Sequence, residues 1–94
     1  YALWNDSSGQ HPPKRPQPFS CGRTPLALAF SRDEGRHWTP SRCLESEAKR
    51  GYAYPASFET EDALLVAYSA GAPEDRSHLA RLRMRRVPLS SVPF

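Results

Sequence analysis

Prolines recur along the whole chain at intervals that are too short for a long helix. The chain has 94 residues and ten of them are proline, about double the usual share. A proline inside a helix removes a main-chain hydrogen bond, and its ring clashes with the preceding turn. The prolines that divide the chain are Pro25, Pro40, Pro55, Pro73 and Pro88. The sequence therefore predicts short β-strands that are separated by turns.

Apolar residues between these prolines mark the candidate strands. They alternate with other residues around Leu26, Leu28 and Phe30, whereas the continuous run from Ala63 to Tyr68 is typical of a buried strand. Strands are predicted at Tyr1–Asn5, Thr24–Phe30, Trp38–Leu44, Pro55–Thr60, Ala63–Tyr68 and Leu79–Leu89. Turns or loops are predicted at Asp6–Gly9, Asp33–Gly35, Glu61–Asp62 and Gly71–Ser77. This spacing indicates an all-β fold, an antiparallel β-meander.

The length of the chain limits what it can form alone. Ninety-four residues make one small domain or a piece of a larger one, and so small a core is marginal in stability. The chain begins with Tyr1 rather than with Met, which suggests a fragment or a processed chain. Residues 11–20 are rich in proline and are predicted to be an extended loop. No apolar run is long enough to cross a bilayer, so no membrane segment is expected in this piece.

Basic residues near the C-terminal end account for much of the net charge of +3. They alternate with apolar residues at a period of two, which predicts a strand with one apolar face and one charged, solvated face. A nucleic-acid partner is not expected, because no aromatic residues are interleaved to stack on bases. The residues concerned are Arg81, Leu82, Arg83, Met84, Arg85 and Arg86.

Cysteine and histidine spacing gives no metal site. Cys21 and Cys43 leave one disulfide possible, and two unpaired thiols are at least as consistent with the sequence. The three histidines show no ligand spacing, and neither a metal nor an organic cofactor is expected. The triplet Asn5-Asp6-Ser7 fits the acceptor pattern for N-glycosylation, which slightly favours a secreted or lumenal location.

The segment from Ser31 to Trp38 is the most informative part of the chain. Asp33 at the start of a tight turn can accept hydrogen bonds from backbone N–H groups that follow it. Gly35 supplies the positive φ that other residues adopt only at a cost. Ser31 can add a side-chain-to-backbone bond, and the ring of Trp38 is expected to be buried against the hairpin while its N–H finds an acceptor. Together these residues predict a locked β-hairpin turn.

This spacing resembles the Asp-box, or BNR repeat, written Ser-x-Asp-x-Gly-x-x-Trp. Asp-boxes recur in sialidases and in other β-propellers, and their role in the family is structural. The flanking segments Gly22–Leu26 and Tyr52–Ala56 appear in the order typical of the C-terminal end of BNR-type sialidases, and the likeness covers Asn5 to about Leu89. It implies that residues 1–94 are the C-terminal part of a six-bladed propeller, about one and a half blades, with a proline-rich insertion at 11–20. The longer protein implied here is called the parent protein below.

The same resemblance implies a set of site residues. Arg23 matches one of three family arginines that bind the carboxylate of sialic acid, and Asn5 is expected to contact substrate too. Arg suits a carboxylate because its planar fork can bond both oxygens. Tyr54 matches the family's nucleophile, which attacks the sugar in a retaining mechanism. Tyr52 lies two residues away, so a regular strand would place both tyrosines on one face, and only the following Pro55 and Ala56 favour Tyr54.

The resemblance implies that the parent protein is an exo-α-sialidase acting on sialylated glycans. The other two arginines, the Asp that acts as acid and base, and the Glu that activates the tyrosine are expected upstream. This chain is therefore expected to need the rest of the propeller and to be inactive alone. Two alternatives stay open, namely an Asp-box glycosidase for another sugar and a non-catalytic Asp-box propeller module. A neutral sugar would give no reason for the arginines, and a missing upstream Asp or Glu would exclude catalysis.

Overall fold

Six strands in two antiparallel sheets make up the fold, and no α-helix is present. The computed structural model describes all residues from 1 to 94. The strands are β1 (Ala2–Asn5), β2 (Leu26–Ala29), β3 (Arg42–Glu45), β4 (Gly51–Glu59), β5 (Ala63–Gly71) and β6 (Leu82–Pro88). The first sheet has the order β1-β2-β3 and the second has the order β4-β5-β6. The predicted all-β meander is confirmed, with short 3₁₀ turns at Pro18–Ser20, Pro73–Asp75 and Leu89–Ser91.

One hydrophobic core lies between the two sheets. Strand β5 contributes alternate residues because successive side chains of a strand point to opposite faces. Full burial of each such aliphatic side chain contributes about 1.5–3 kcal/mol. The buried cluster consists of Leu26, Leu28, Phe30, Leu44, Tyr52, Leu64, Val66, Tyr68, Ala70, Val87 and Val92. The core therefore holds the two three-stranded sheets together as one unit.

Strand β3 begins later than the sequence predicts, at Arg42 rather than at Trp38. The N–H of Thr39 donates to the carbonyl oxygen of Phe30 at 2.8 Å, and the N–H of Phe30 donates to Thr39 Oγ1 at 3.0 Å. Thr39 thus closes the turn through its bonds to Phe30. Pro40 has no N–H group and cannot donate a hydrogen bond to a neighbouring strand. The chain reaches β3 only after this turn is complete.

Strands β4 and β5 are longer than predicted because two glycines let the chain approach itself closely. Gly51 and Gly71 face each other at the ends of these strands. A Cβ atom on Gly71 would lie 2.0 Å from the carbonyl oxygen of Ser77, and one on Gly51 would lie 2.6 Å from His78 Cβ. Glycine in a strand often marks such a close approach of backbone. The loop after β5 can therefore fold back over the end of the sheet.

The orientation of β6 differs from the prediction. Leu82 and Met84 point outwards and are 74% and 65% exposed. Arg83, predicted to lie on a solvated face, turns towards the buried carboxylate of Glu45, and its Nη1 donates to Glu45 Oε2 at 2.9 Å. Basic and apolar residues do alternate along β6, but the sequence gives no sign that Arg83 has an acidic partner inside the protein.

The loop between β5 and β6 is held by Asp75. Asp75 Oδ2 accepts the N–H of Ala72 at 2.9 Å, and its carboxylate also accepts Nε and Nη2 of Arg81 at 3.1 and 2.8 Å. The Arg81 hydrogen bonds, with that from Ala72, hold the pKa of Asp75 well below its ordinary value. This pairing orders the loop that carries Ser77 and His78.

Candidate functional site

The two residues nominated most directly for chemistry meet in the structure. The guanidinium carbon of Arg23 lies 5.3 Å from the centroid of the Tyr54 ring. Arg23 precedes β2 in the first sheet, and Tyr54 lies on β4 in the second sheet. A cation over an aromatic face is attracted by the ring quadrupole. The Arg23–Tyr54 pair is therefore a contact between two sheets, made by residues 31 positions apart in the sequence.

Tyr54 lies in a β-bulge that turns it outwards. Ala53 pairs with Ser69 and Ala56 pairs with Ala67, so Tyr54 and Pro55 together oppose a single residue of β5. Its φ is +52°, in the left-handed region that residues other than glycine adopt only at a cost. Such outliers concentrate at functional sites, where the surrounding structure holds them. As a result, the Tyr54 side chain is 67% exposed.

The bulge separates Tyr54 from Tyr52, which was predicted to share its face. That prediction is wrong because the extra residue interrupts the period of two. Tyr52 is fully buried, and its hydroxyl has no hydrogen-bond partner. Burial raises the pKa of Tyr52 to about 12, with smaller contributions from Glu45 and Glu47. Tyr52 cannot meet a substrate in this position, so Tyr54 is the accessible phenol of these two tyrosines.

Asn5 lies at the junction of the two sheets. Its Nδ2 donates to the carbonyl oxygens of Pro25 and Tyr52, each at 3.2 Å. The amide nitrogen that could contact a substrate, or carry a glycan, is thus already used inside the protein. Asn5 is part-buried in this position. The structure brings Asn5 near the Arg23–Tyr54 pair, but its donors are directed at the main chain.

A buried ionic cluster behind the site was not predicted. Glu45 is 7% exposed, and its Oε2 accepts the hydroxyl of Tyr68 at 2.6 Å and Nη1 of Arg83 at 2.9 Å. Burial and the Glu45 hydrogen bond raise the pKa of Tyr68. The Tyr68 ring packs edge-on against the ring of Tyr52, with centroids 6.1 Å apart. The only signal in the sequence is that Glu45 directly follows the predicted strand Trp38–Leu44. This position does not identify the partners of the Glu45 carboxylate.

Two buried tyrosine hydroxyls should therefore have opposite effects on stability. Tyr68→Phe removes a donor to a buried carboxylate, and we expect it to destabilise the parent protein by about 1.5–3 kcal/mol. Tyr52→Phe removes an unpaired hydroxyl, and we expect it to be neutral or to stabilise by up to about 1 kcal/mol. Urea unfolding of the two variants measures the difference. Equal losses of unfolding free energy in the two variants would mean that the Tyr52 hydroxyl has a hydrogen-bond partner.

The turn from Ser31 to Trp38 is closed by its own side chains. Asp33 Oδ1 accepts the N–H of His37 at 2.8 Å and the hydroxyl of Ser31 at 2.8 Å. Ser31 Oγ in turn accepts the N–H of Gly35 at 2.9 Å, and the indole N–H of Trp38 donates to the Gly35 carbonyl at 2.9 Å. Gly35 has a φ of +89°, which glycine adopts without strain. The turn is therefore locked by hydrogen bonds among its own residues.

Trp38 is half exposed, although its ring was predicted to be buried. The Trp38 ring packs against the turn itself, and its Cζ2 atom would lie 3.6 Å from a Cβ atom added to Gly35. Shallow grooves of about 350 and 360 Å³ lie on either side of the ring. Neither groove is lined by Arg23 or Tyr54. The Arg23–Tyr54 pair thus lies on an open surface rather than inside a closed pocket.

Asp33→Ala should damage the turn and not the chemistry. Hydrogen bonds from His37 and Ser31 lower the pKa of Asp33 to about 2. A lowered pKa means that the charged form stabilises the fold above the ordinary value of 3.8, and that this contribution is lost as the pH falls towards 2. We expect a lower melting temperature at pH 7, a smaller difference from wild type near pH 2, and normal turnover per folded molecule. A normal melting temperature with abolished turnover would contradict this role.

No group of three or more His, Cys, Asp or Glu side chains is arranged to hold a metal ion. Cys21 and Cys43 are both free thiols. None of the helical segments has the length and apolar character to span a bilayer.

The Arg23–Tyr54 pair, the bulge and the Asn5 contacts are the features on which a functional assignment depends. Comparison with protein-family models, with curated proteins and with solved structures found no match to this chain.

Proposed function

We propose that the parent protein is an exo-α-sialidase and that this chain supplies one carboxylate-binding arginine and the nucleophile. The observation that carries the proposal is the position of Arg23 over the exposed ring of Tyr54, at 5.3 Å. Two residues that the resemblance assigns to one site, one leading into the first sheet and one on the second, are brought together. The strained backbone of Tyr54 supports the same proposal, because an exposed tyrosine could be presented without a φ of +52°.

The chemistry requires both residues. Sialic acid carries a carboxylate on its anomeric carbon, and a guanidinium can bind both carboxylate oxygens. A neutral phenol avoids the repulsion that a carboxylate nucleophile would meet beside this group. The hydroxyl oxygen of Tyr54 forms a bond to the anomeric carbon while its proton passes to a base. The bond to the leaving oxygen breaks, and that oxygen receives a proton from an acid.

Water then reverses the sequence. It loses a proton to the deprotonated acid as it attacks the anomeric carbon, the bond to Tyr54 breaks, and the tyrosine oxygen regains its proton from the base. Free sialic acid leaves with its anomeric configuration retained. The base and the acid are expected among upstream residues of the parent protein, as are two further arginines. This division of the site is consistent with the open surface around the pair, since a sugar pocket needs walls on several sides.

The outer faces of both sheets support a propeller architecture. In the second sheet Phe58, Leu82 and Met84 are 68%, 74% and 65% exposed, and Phe58 and Met84 line a shallow apolar groove. In the first sheet Trp4 is 37% exposed. An apolar sheet face must be buried against another element. In a propeller the neighbouring blades would cover these faces.

Hydrolysis of a fluorogenic sialoside tests the proposal. We expect turnover by the parent protein and none by the 94-residue chain alone, because the acid, the base and two arginines would be missing. The isolated chain should also unfold at a lower temperature, since its outer faces are uncovered. No turnover by the folded parent protein with any sialoside linkage would refute the proposal. Turnover by the isolated chain would refute the division of the site.

A further inference from the structure

The segments that carry Arg23 and Tyr54 are joined by one side chain and one main-chain bond. The N–H of Tyr52 donates to the carbonyl oxygen of Arg23 at 2.7 Å. Asn5 Nδ2 donates to the carbonyl oxygen of Tyr52 and to that of Pro25, each at 3.2 Å. Asn5 therefore contacts the chain two residues after Arg23 and two residues before Tyr54. A single amide group bridges both segments.

Regular strand pairing stops next to both residues of the pair. Arg23 precedes β2 and follows Gly22, whose φ is +73°. Tyr54 lies where the pairing of β4 with β5 is interrupted. A bulge leaves its extra residue without ladder bonds, so local contacts fix its direction. The relative position of the Arg23–Tyr54 pair thus depends on the few bonds that cross between the segments.

We propose that Asn5 is a positioning residue that holds Arg23 over Tyr54 through the main chain, and that it does not bind substrate itself. The proposal rests on the proposed function only in taking this pair as the reactive site. Both Nδ2 hydrogens of Asn5 are needed, one for each carbonyl. A side chain of the same size without N–H groups would fill the space but leave the two segments unjoined.

Asn5→Leu in the parent protein is the direct test, because leucine has nearly the shape of asparagine and no donor. Misplacement of a reacting group by about 1 Å can cost about 100-fold in rate, so we expect kcat to fall by about 10- to 100-fold. KM should change by less than about threefold, because Arg23 still binds the carboxylate. Asn5→Ala serves as a second variant if Asn5→Leu does not fold.

A second measurement does not depend on activity. Because Arg23 lies over the Tyr54 ring, we expect a ring-current shift in the NMR signals of the Arg23 side chain, and we expect this shift to shrink in both Asn5 variants. Gln10→Leu likewise replaces an amide by an apolar side chain, at an exposed position where Nε2 donates to Ser41 Oγ at 3.0 Å, and it should alter neither readout. Asp33→Ala controls for stability, because it should lower the melting temperature and leave the Arg23 shift intact.

The outcomes separate positioning from the other roles. A raised KM with normal kcat would mean that Asn5 contacts the substrate, and would overturn the proposal. Normal kinetics, or a lowered kcat with an unchanged Arg23 shift, would overturn it as well. If wild-type parent protein hydrolyses no sialoside, the proposed function fails, while the NMR comparison still decides whether Asn5 holds the pair.

Discussion

Tyr54→Phe is expected to abolish sialoside hydrolysis by the parent protein. The substitution deletes one oxygen and keeps the ring, so the contact with Arg23 and the packing of β4 should survive. Without that oxygen no covalent bond to the sugar can form, and the retaining route is closed. Loss of a nucleophile costs several orders of magnitude, and we expect kcat to fall at least about 1,000-fold. Steady-state kinetics with a fluorogenic sialoside, at a temperature where the variant is folded, measures this loss.

Tyr52→Phe is the matched control for this change. Its hydroxyl is buried and unpaired, so it takes no part in binding, and kcat and KM should both remain within about twofold of wild type. Full activity in Tyr54→Phe would contradict the assignment of the nucleophile. Abolished activity in Tyr52→Phe, with intact folding, would transfer the role to the other tyrosine.

Gly71→Ala is expected to have the largest effect on stability. A Cβ at this position would lie 2.0 Å from the carbonyl oxygen of Ser77 and 2.6 Å from His78 Cα. Both are backbone atoms, so the loop after β5 must move away from the sheet, and the contacts of Asp75 that order it are strained. We expect a loss of about 3 kcal/mol or more, measured by urea unfolding of the parent protein.

Gly22→Ala is the control for the loss of glycine itself. Gly22 has a φ of +73° and nothing within 4 Å of the added Cβ. Gly22→Ala should therefore lower the free energy of unfolding only by the cost of placing an alanine in the left-handed backbone region, about 1–2 kcal/mol. If Gly71→Ala lowers the free energy of unfolding by no more than Gly22→Ala does, the loop after β5 does not approach Gly71 as closely as described.

Local sequence patterns predicted the strands and the turn because each depends on neighbouring residues. The apolar run from Ala63 corresponds to β5, although the strand continues to Gly71. The bonds of Asp33 and Gly35 follow from residue types within one turn. Trp38 was predicted less well, because its burial depends on what lies against the turn and not on the turn alone.

Features that depend on distant contacts could not be predicted from the sequence. The bulge at Tyr54 arises from the pairing of β4 with β5. Pro55 is compatible with either a bulge or the first residue of a strand, and the sequence alone does not decide between them. The partner of Arg83 is Glu45, 38 positions away, so a period of two could identify the faces of β6 but not which one points inwards. Asn5 was nominated as a substrate contact, whereas its partners, Pro25 and Tyr52, become visible only once the sheets are packed together.

Covalent trapping identifies the residue whose oxygen attacks the sugar. A difluorosialic acid forms a slow intermediate on a sialidase nucleophile, and peptide mass spectrometry of the trapped parent protein locates the adduct. We expect one sialyl adduct, on Tyr54, that is absent from Tyr54→Phe and present in Tyr52→Phe. An adduct on Tyr52, or on a residue outside this chain, would contradict this expectation.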